Sequence, residues 1–163
     1  MTKQIRTKKL FPVCLLGSIV ALAACSYSTN FVVINATNNP IEVRYRLKKP
    51  MNPNAPIRLP EVPSVKLISE LDEQTPWREL PTSRFTFDPN TRMAAVSLMP
   101  GEGLRVEQRK LSGGPQDDGH QAANFAIEEI NIKGTSGEVT FQGEQARKSF
   151  VPASKTLSIL TYR

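Results

Sequence analysis

From Ile41 to Lys48 apolar and charged residues alternate without a break: Ile41, Val43, Tyr45 and Leu47 against Glu42, Arg44, Arg46 and Lys48. Successive side chains of a strand point to opposite faces, so this stretch predicts a strand with one face in a core and one in water. A helix would scatter the same four apolar residues around its circumference. Just before it, Phe31-Val32-Val33-Ile34 is a short β-branched run. The two runs are separated by Asn35-Ala36-Thr37-Asn38-Asn39-Pro40, dense in turn formers, and together predict a hairpin opening the domain.

The same period of two recurs to the end of the chain. Phe85 and Phe87 share a face, as do Ala94, Val96 and Leu98; Leu104-Arg105-Val106-Glu107 alternates again. Phe125 and Ile127 have one parity and Ile130 and Ile132 the other, so Glu128-Glu129 predicts a β-bulge. Gly134-Thr135-Ser136-Gly137 turns the chain into Val139 and Phe141. The last run, Leu157 to Tyr162, is apolar on both faces and predicts a central strand. Thirteen prolines against nine glycines favour short elements. Prolines 50, 53, 56, 60 and 63 exclude a helix or an inner strand there and predict a long extended loop. Thr75-Pro76-Trp77 predicts one helical turn seating Trp77 in the core, and residues 112–122 predict an exposed loop. About eight short strands with frequent turns make this a mostly β chain. The expected fold is an antiparallel β-sandwich over residues 31–163, with a small β-barrel as the alternative.

The N-terminus follows another logic. Lys3, Arg6, Lys8 and Lys9 precede an apolar run from Leu10 to Ala24. A membrane-spanning helix needs roughly 20 such residues, so a shorter run behind a basic flank reads as a secretory signal peptide. It ends in Leu22-Ala23-Ala24-Cys25, which resembles the lipobox of bacterial lipoproteins. The resemblance covers residues 1–25 alone. It implies that residues 1–24 are cleaved and that Cys25 becomes the lipidated amino terminus, bearing a diacylglyceryl thioether and an N-acyl chain such as palmitate. Ala21-Leu22-Ala23 is also an A-x-A site that would release a soluble protein starting at Ala24. Ser26, in place of an Asp, resembles lipoproteins sorted to the outer membrane and facing the periplasm. Residues 25–30 are then a short tether that holds the sandwich near the bilayer.

Removing the signal takes four of the 21 basic residues and none of the 15 acids, so the net charge falls from +6 to +2. A balance of that size argues against nucleic acid as a partner. The residues that could carry chemistry are sparse. His120, the single histidine, sits between Gly119 and Gln121 with no Gly-x-Ser-x-Gly elbow. Asp117-Asp118 and Glu128-Glu129 lack the spacing of a calcium loop, and no zinc spacing exists. Glu70, Asp72 and Glu73 have only Trp77 nearby as a sugar-stacking aromatic. Ser112-Gly113-Gly114-Pro115 lacks the Gly-Lys-Ser/Thr ending of a phosphate loop. Lys48-Lys49 and Arg109-Lys110 lie at strand ends, where they face lipid phosphates or simply keep an edge soluble. The expected protein is therefore a non-catalytic envelope lipoprotein, with no metal or cofactor, that serves as an interaction or accessory module for another envelope protein. The alternative is a carrier of a small hydrophobic or sugar ligand.

Overall fold

The computed structural model describes residues 27–52, 54, 56, 57, 59, 62–71, 75–111 and 125–163. Cys25, the signal segment, Asp72, Glu73 and the 112–122 loop with Asp117, Asp118 and His120 lie outside them. Among the described residues eleven strands run in the order β1 (Tyr27–Asn35), β2 (Ile41–Leu47), β3 (Ser64–Leu67), β4 (Arg78–Glu79), β5 (Phe85–Asp88), β6 (Met93–Leu98), β7 (Glu102–Leu111), β8 (Ile127–Gly134), β9 (Gly137–Gln142), β10 (Val151–Ser154) and β11 (Leu157–Tyr162). They form a six-stranded sheet, β10-β11-β1-β7-β3-β4, and a five-stranded sheet, β5-β6-β2-β8-β9. Each sheet keeps two open edges, so the fold is a two-sheet sandwich and not a closed barrel.

The alternating residues pack as their parity predicts. Ile41, Val43, Tyr45 and Leu47 are buried against Ala94, Val96 and Leu98 from β6, and against Ile127, Ile130 and Ile132 from β8. Burying each aliphatic side chain of this kind contributes about 1.5–3 kcal/mol. The bulge falls where the sequence places it: Arg46 pairs with Glu129 and Leu47 with Ile127, leaving Glu128 as the extra residue. Arg92, at φ 62°, ends the turn after β5 and donates to the Leu47 carbonyl and to Glu128.

Three features differ from the sequence expectation. First, β1 and β2 are not a hairpin. β1 pairs with β7 and β11, and β2 with β6 and β8, so residues 36–40 arch from one sheet to the other. Asn35 fixes the arch. It is fully buried and its Nδ2 donates to the carbonyls of Leu98 (3.0 Å) and Asn39 (2.8 Å). Second, β1 and β11 pair in parallel in an otherwise antiparallel sheet, although the last strand does lie inside the sheet, between β10 and β1, as its apolar faces predict. Third, residues 78–79 are extended, and Trp77 is a half-buried residue on the outer face of the six-stranded sheet. Pro76 and the β3 edge, which β4 joins by pairing Val65 with Arg78, hold that segment straight. In addition, β1 begins at Tyr27, so residues 27–30 belong to the sandwich.

After β9 a five-residue helix, α1 (Glu144–Lys148), carries the chain back to the six-stranded sheet and buries Ala146. Near it Phe31, Phe125 and Phe150 form a mutually tilted aromatic cluster with centroids 5.0–6.0 Å apart. Such pairs add about 0.5–1.5 kcal/mol beyond their burial. Because β1 and β2 run in opposite directions, the start of β1 and the end of β2 lie at one end of the sandwich. The β6–β7 and β8–β9 turns lie at the other.

Candidate functional site

The six-stranded sheet buries side chains on both of its faces. Val33, Leu104, Val65, Leu160 and Tyr162 face the core. The opposite parity of β1 brings Val32 and Ile34 to the outer face, where they are nonetheless buried, at 0% and 6% exposure. Leu71, in the strap that follows β3, lies against Val32. Leu71 approaches so closely that a Cβ on Gly103 would stand 3.3 Å from its Cδ2 and 3.0 Å from Val32 Cγ1. A side chain at position 103 would press on this strap.

Between strap and sheet lies a cavity of about 670 Å³, lined by Asn30, Gln108, Lys66, Thr156, Leu71 and Trp77 among others. Lys66, in β3 between β7 and β4, is only 2% exposed. Its Nζ sits 5.1 Å from the Trp77 ring centroid, and the Arg105 guanidinium carbon stands at the same distance. The negative face of an indole attracts both cations. Asn30 donates through Nδ2 to the Thr156 carbonyl at 3.3 Å, while its Oδ1 is buried without a partner. The lining thus offers carboxamides, a hydroxyl and an indole, a set suited to holding a polar, hydrogen-bonding molecule. A second depression of about 600 Å³ lies at the far end of the five-stranded sheet, beside Arg84 and Lys133.

The acids raised by the sequence do not converge. Glu128 pairs with Arg92 at 2.9 Å, and Glu129 with Arg46 at 3.6 Å. Glu70 is half-buried in a 3₁₀ turn after β3. Among the described residues no three His, Cys, Asp or Glu side chains gather as metal ligands would. Lys48 and Lys49 are exposed, and Arg109 turns to Glu107 at 3.4 Å. Asn35-Ala36-Thr37 is a turn, the Thr37 N–H and hydroxyl both donating to Asn35 Oδ1.

The charged groups that are most constrained join the sheets. At the far end Arg84 donates to both carboxylate oxygens of Glu102 and to the Ser97 carbonyl. Burial raises the Glu102 carboxyl, but hydrogen bonds from Arg84 and the Met99 N–H outweigh it and hold the group below the ordinary glutamate range. At the near end Glu107 accepts from the Ala126 N–H at 3.0 Å, linking β7 to the start of β8. Asp88 is held low by Thr91 and by the Asn90 N–H within its own turn. Burial pushes the Tyr45 hydroxyl up.

Sequence reasoning missed Lys66, Asn30 and Gln108 as cavity residues. Gln108 faces outward only because the β7 register shifts beside Val106, which simple alternation hides, and nothing local says that a strap returns above it or Asn30. Comparison of the chain with protein-family models, with characterised proteins and with solved structures finds no match.

Proposed function

We propose that this chain is a bacterial envelope lipoprotein, anchored through lipidated Cys25 in the outer membrane and facing the periplasm, whose β-sandwich is a non-catalytic interaction or accessory module. The observation that carries the reading is a junction. The lipobox ends at Cys25 and the first strand begins at Tyr27, so the acylated residue passes almost directly into a sheet. A core filled by side chains from both sheets supports a module that works through its surface. Metabolic labelling with a radioactive fatty acid tests the anchor. The wild type takes up label and Cys25→Ala does not; equal labelling of the two removes the reading. Crosslinking in the native envelope tests the module, with one partner expected to be recovered repeatedly.

The cavity under the strap favours a second reading, in which the protein holds a small polar ligand such as a sugar. Trp77 is the single tryptophan, so a bound ligand shifts its emission. Titration with candidate glycans that leaves the emission unchanged counts against this reading.

A further inference from the structure

We infer that the end of the sandwich where β1 begins carries a lysine collar that rests on anionic lipid headgroups, so that the protein is oriented on the bilayer as well as tethered to it. The inference rests on the lipoprotein reading above. Only Ser26 separates Cys25 from β1. A residue spans at most about 3.6 Å, so the start of β1 stays within roughly one Debye length, about 8 Å, of the acylated cysteine. The side chains at this end therefore feel the surface potential of the bilayer.

Three lysines stand there. Lys155 is placed by β1 itself: its carbonyl accepts from Thr29 Oγ1 at 3.1 Å. Lys48 and Lys49 leave β2 at the same end of the other sheet, where the Lys48 N–H donates to the Ala126 carbonyl at 2.7 Å. All three are exposed, and none forms an ion pair with a described residue. The described carboxylates of this end are engaged elsewhere. Glu128 holds Arg92, Glu144 holds Lys148, Glu107 is buried on the Ala126 N–H, and Asp88 is turned onto Thr91. Asp117 and Asp118 belong to the connection between β7 and β8, outside the described residues. Two residues beyond Lys49, Met51 is fully exposed at 105%. An apolar side chain beside ammonium groups suits a headgroup layer better than the surface of an acidic protein.

The test uses the mature acylated protein in vesicles of phosphatidylcholine alone, or of equal parts phosphatidylcholine and phosphatidylglycerol. A water-soluble amine-acylating reagent is added, and the modified lysines are identified by mass spectrometry. Each lysine at an anionic surface gains on the order of fivefold in local association. Lys48, Lys49 and Lys155 should therefore react about fivefold more slowly in the anionic vesicles. Lys133, exposed at the far end beside Gly134, should react equally in both, and high salt should abolish the difference. An acylated, vesicle-bound protein whose three lysines react equally in both vesicles overturns the collar and leaves the anchor standing. A purified protein whose Cys25 carries no acyl group by mass overturns both. Protection in the native envelope but in neither vesicle assigns the lysines to an acidic protein and overturns the lipid contact.

Discussion

The two sheets present opposite kinds of outer face. On the five-stranded sheet the outer face is a charged ladder. Arg44 pairs with Glu42 at 2.9 Å and Arg46 with Glu129, while Asn131 donates to Glu138 and Thr140 across to β9. On the six-stranded sheet the equivalent positions carry Val32 and Ile34, both buried, with Leu71 of the strap against Val32. One sheet therefore has a single core-facing side, and the other is buried on both sides along β1. A strand with one wet face must alternate, whereas a strand dry on both sides need not.

The sharpest way to break this contrast is to place a charge on each outer face. Val32→Asp buries an unpaired carboxylate at a position with no exposure. It should cost about 4 kcal/mol or more, seen as a lost or strongly shifted urea transition by circular dichroism. Arg44→Ala on the other sheet removes an exposed ion pair and should move the transition by about 0.5 kcal/mol or less. Equal effects would mean that the strap does not seal β1.

A gentler probe loads the strap itself. Gly103→Ala sets a Cβ against Val32 and Leu71 and should destabilise by about 1–3 kcal/mol through overpacking. Combined with Leu71→Ala it should cost less than the sum of the two single changes, because the added methyl then has room. Strict additivity in the double-mutant cycle would show that Leu71 is not what confines position 103. Next in size is Trp77→Ala, which removes the indole that Lys66 and Arg105 both approach. Each cation–π contact is worth about 0.5–2 kcal/mol, and the loss should be smaller at high salt.

The same contrast decides what could be read from the sequence. β2, β6 and β8 declare their core faces residue by residue, and the parity switch at Glu128-Glu129 marks the bulge. The six-stranded sheet conceals itself. Its central parallel pair joins the two ends of the described chain, Asn30 with Leu157 through Asn35 with Tyr162, and no local pattern encodes a contact so distant. In β7 a register shift near Val106 turns Glu107 to the same side as Phe31, against the simple alternation of Leu104-Arg105-Val106-Glu107. Trp77 follows Pro76, and a lone tryptophan has so much surface to bury that the sequence points it into the core; a strap satisfies that need equally well. The cavity is drawn from β1, β3, β7, the strap and the β10–β11 turn, so no single motif could announce it. Turn chemistry was more legible. Gly134 is required because a Cβ there would meet Tyr162 Cε1 at 2.7 Å, where that ring crosses between sheets to donate to the Gly137 carbonyl.

The smallest expected effect sharpens the comparison where the sheets meet. Arg84 comes from the edge of the five-stranded sheet and Glu102 from β7 of the six-stranded one, so their ion pair is a clamp between layers. The folded carboxyl titrates below the ordinary glutamate range, because the Arg84 and Met99 hydrogen bonds outweigh its burial. In the unfolded chain the same group binds its proton at the ordinary value. Above that value both states are ionised and the clamp contributes fully. As the pH falls from there through the lower folded value, the unfolded state takes up its proton first and the contribution disappears. Urea midpoints of the wild type and Glu102→Gln should therefore differ most near neutral pH and converge in acid. Asp88, also held low but exposed within its own turn, should give a weaker convergence of the same sign in Asp88→Asn. A Glu102→Gln difference that stays constant across this range would show that the clamp works as a packed, uncharged contact and does not depend on the ionised carboxylate.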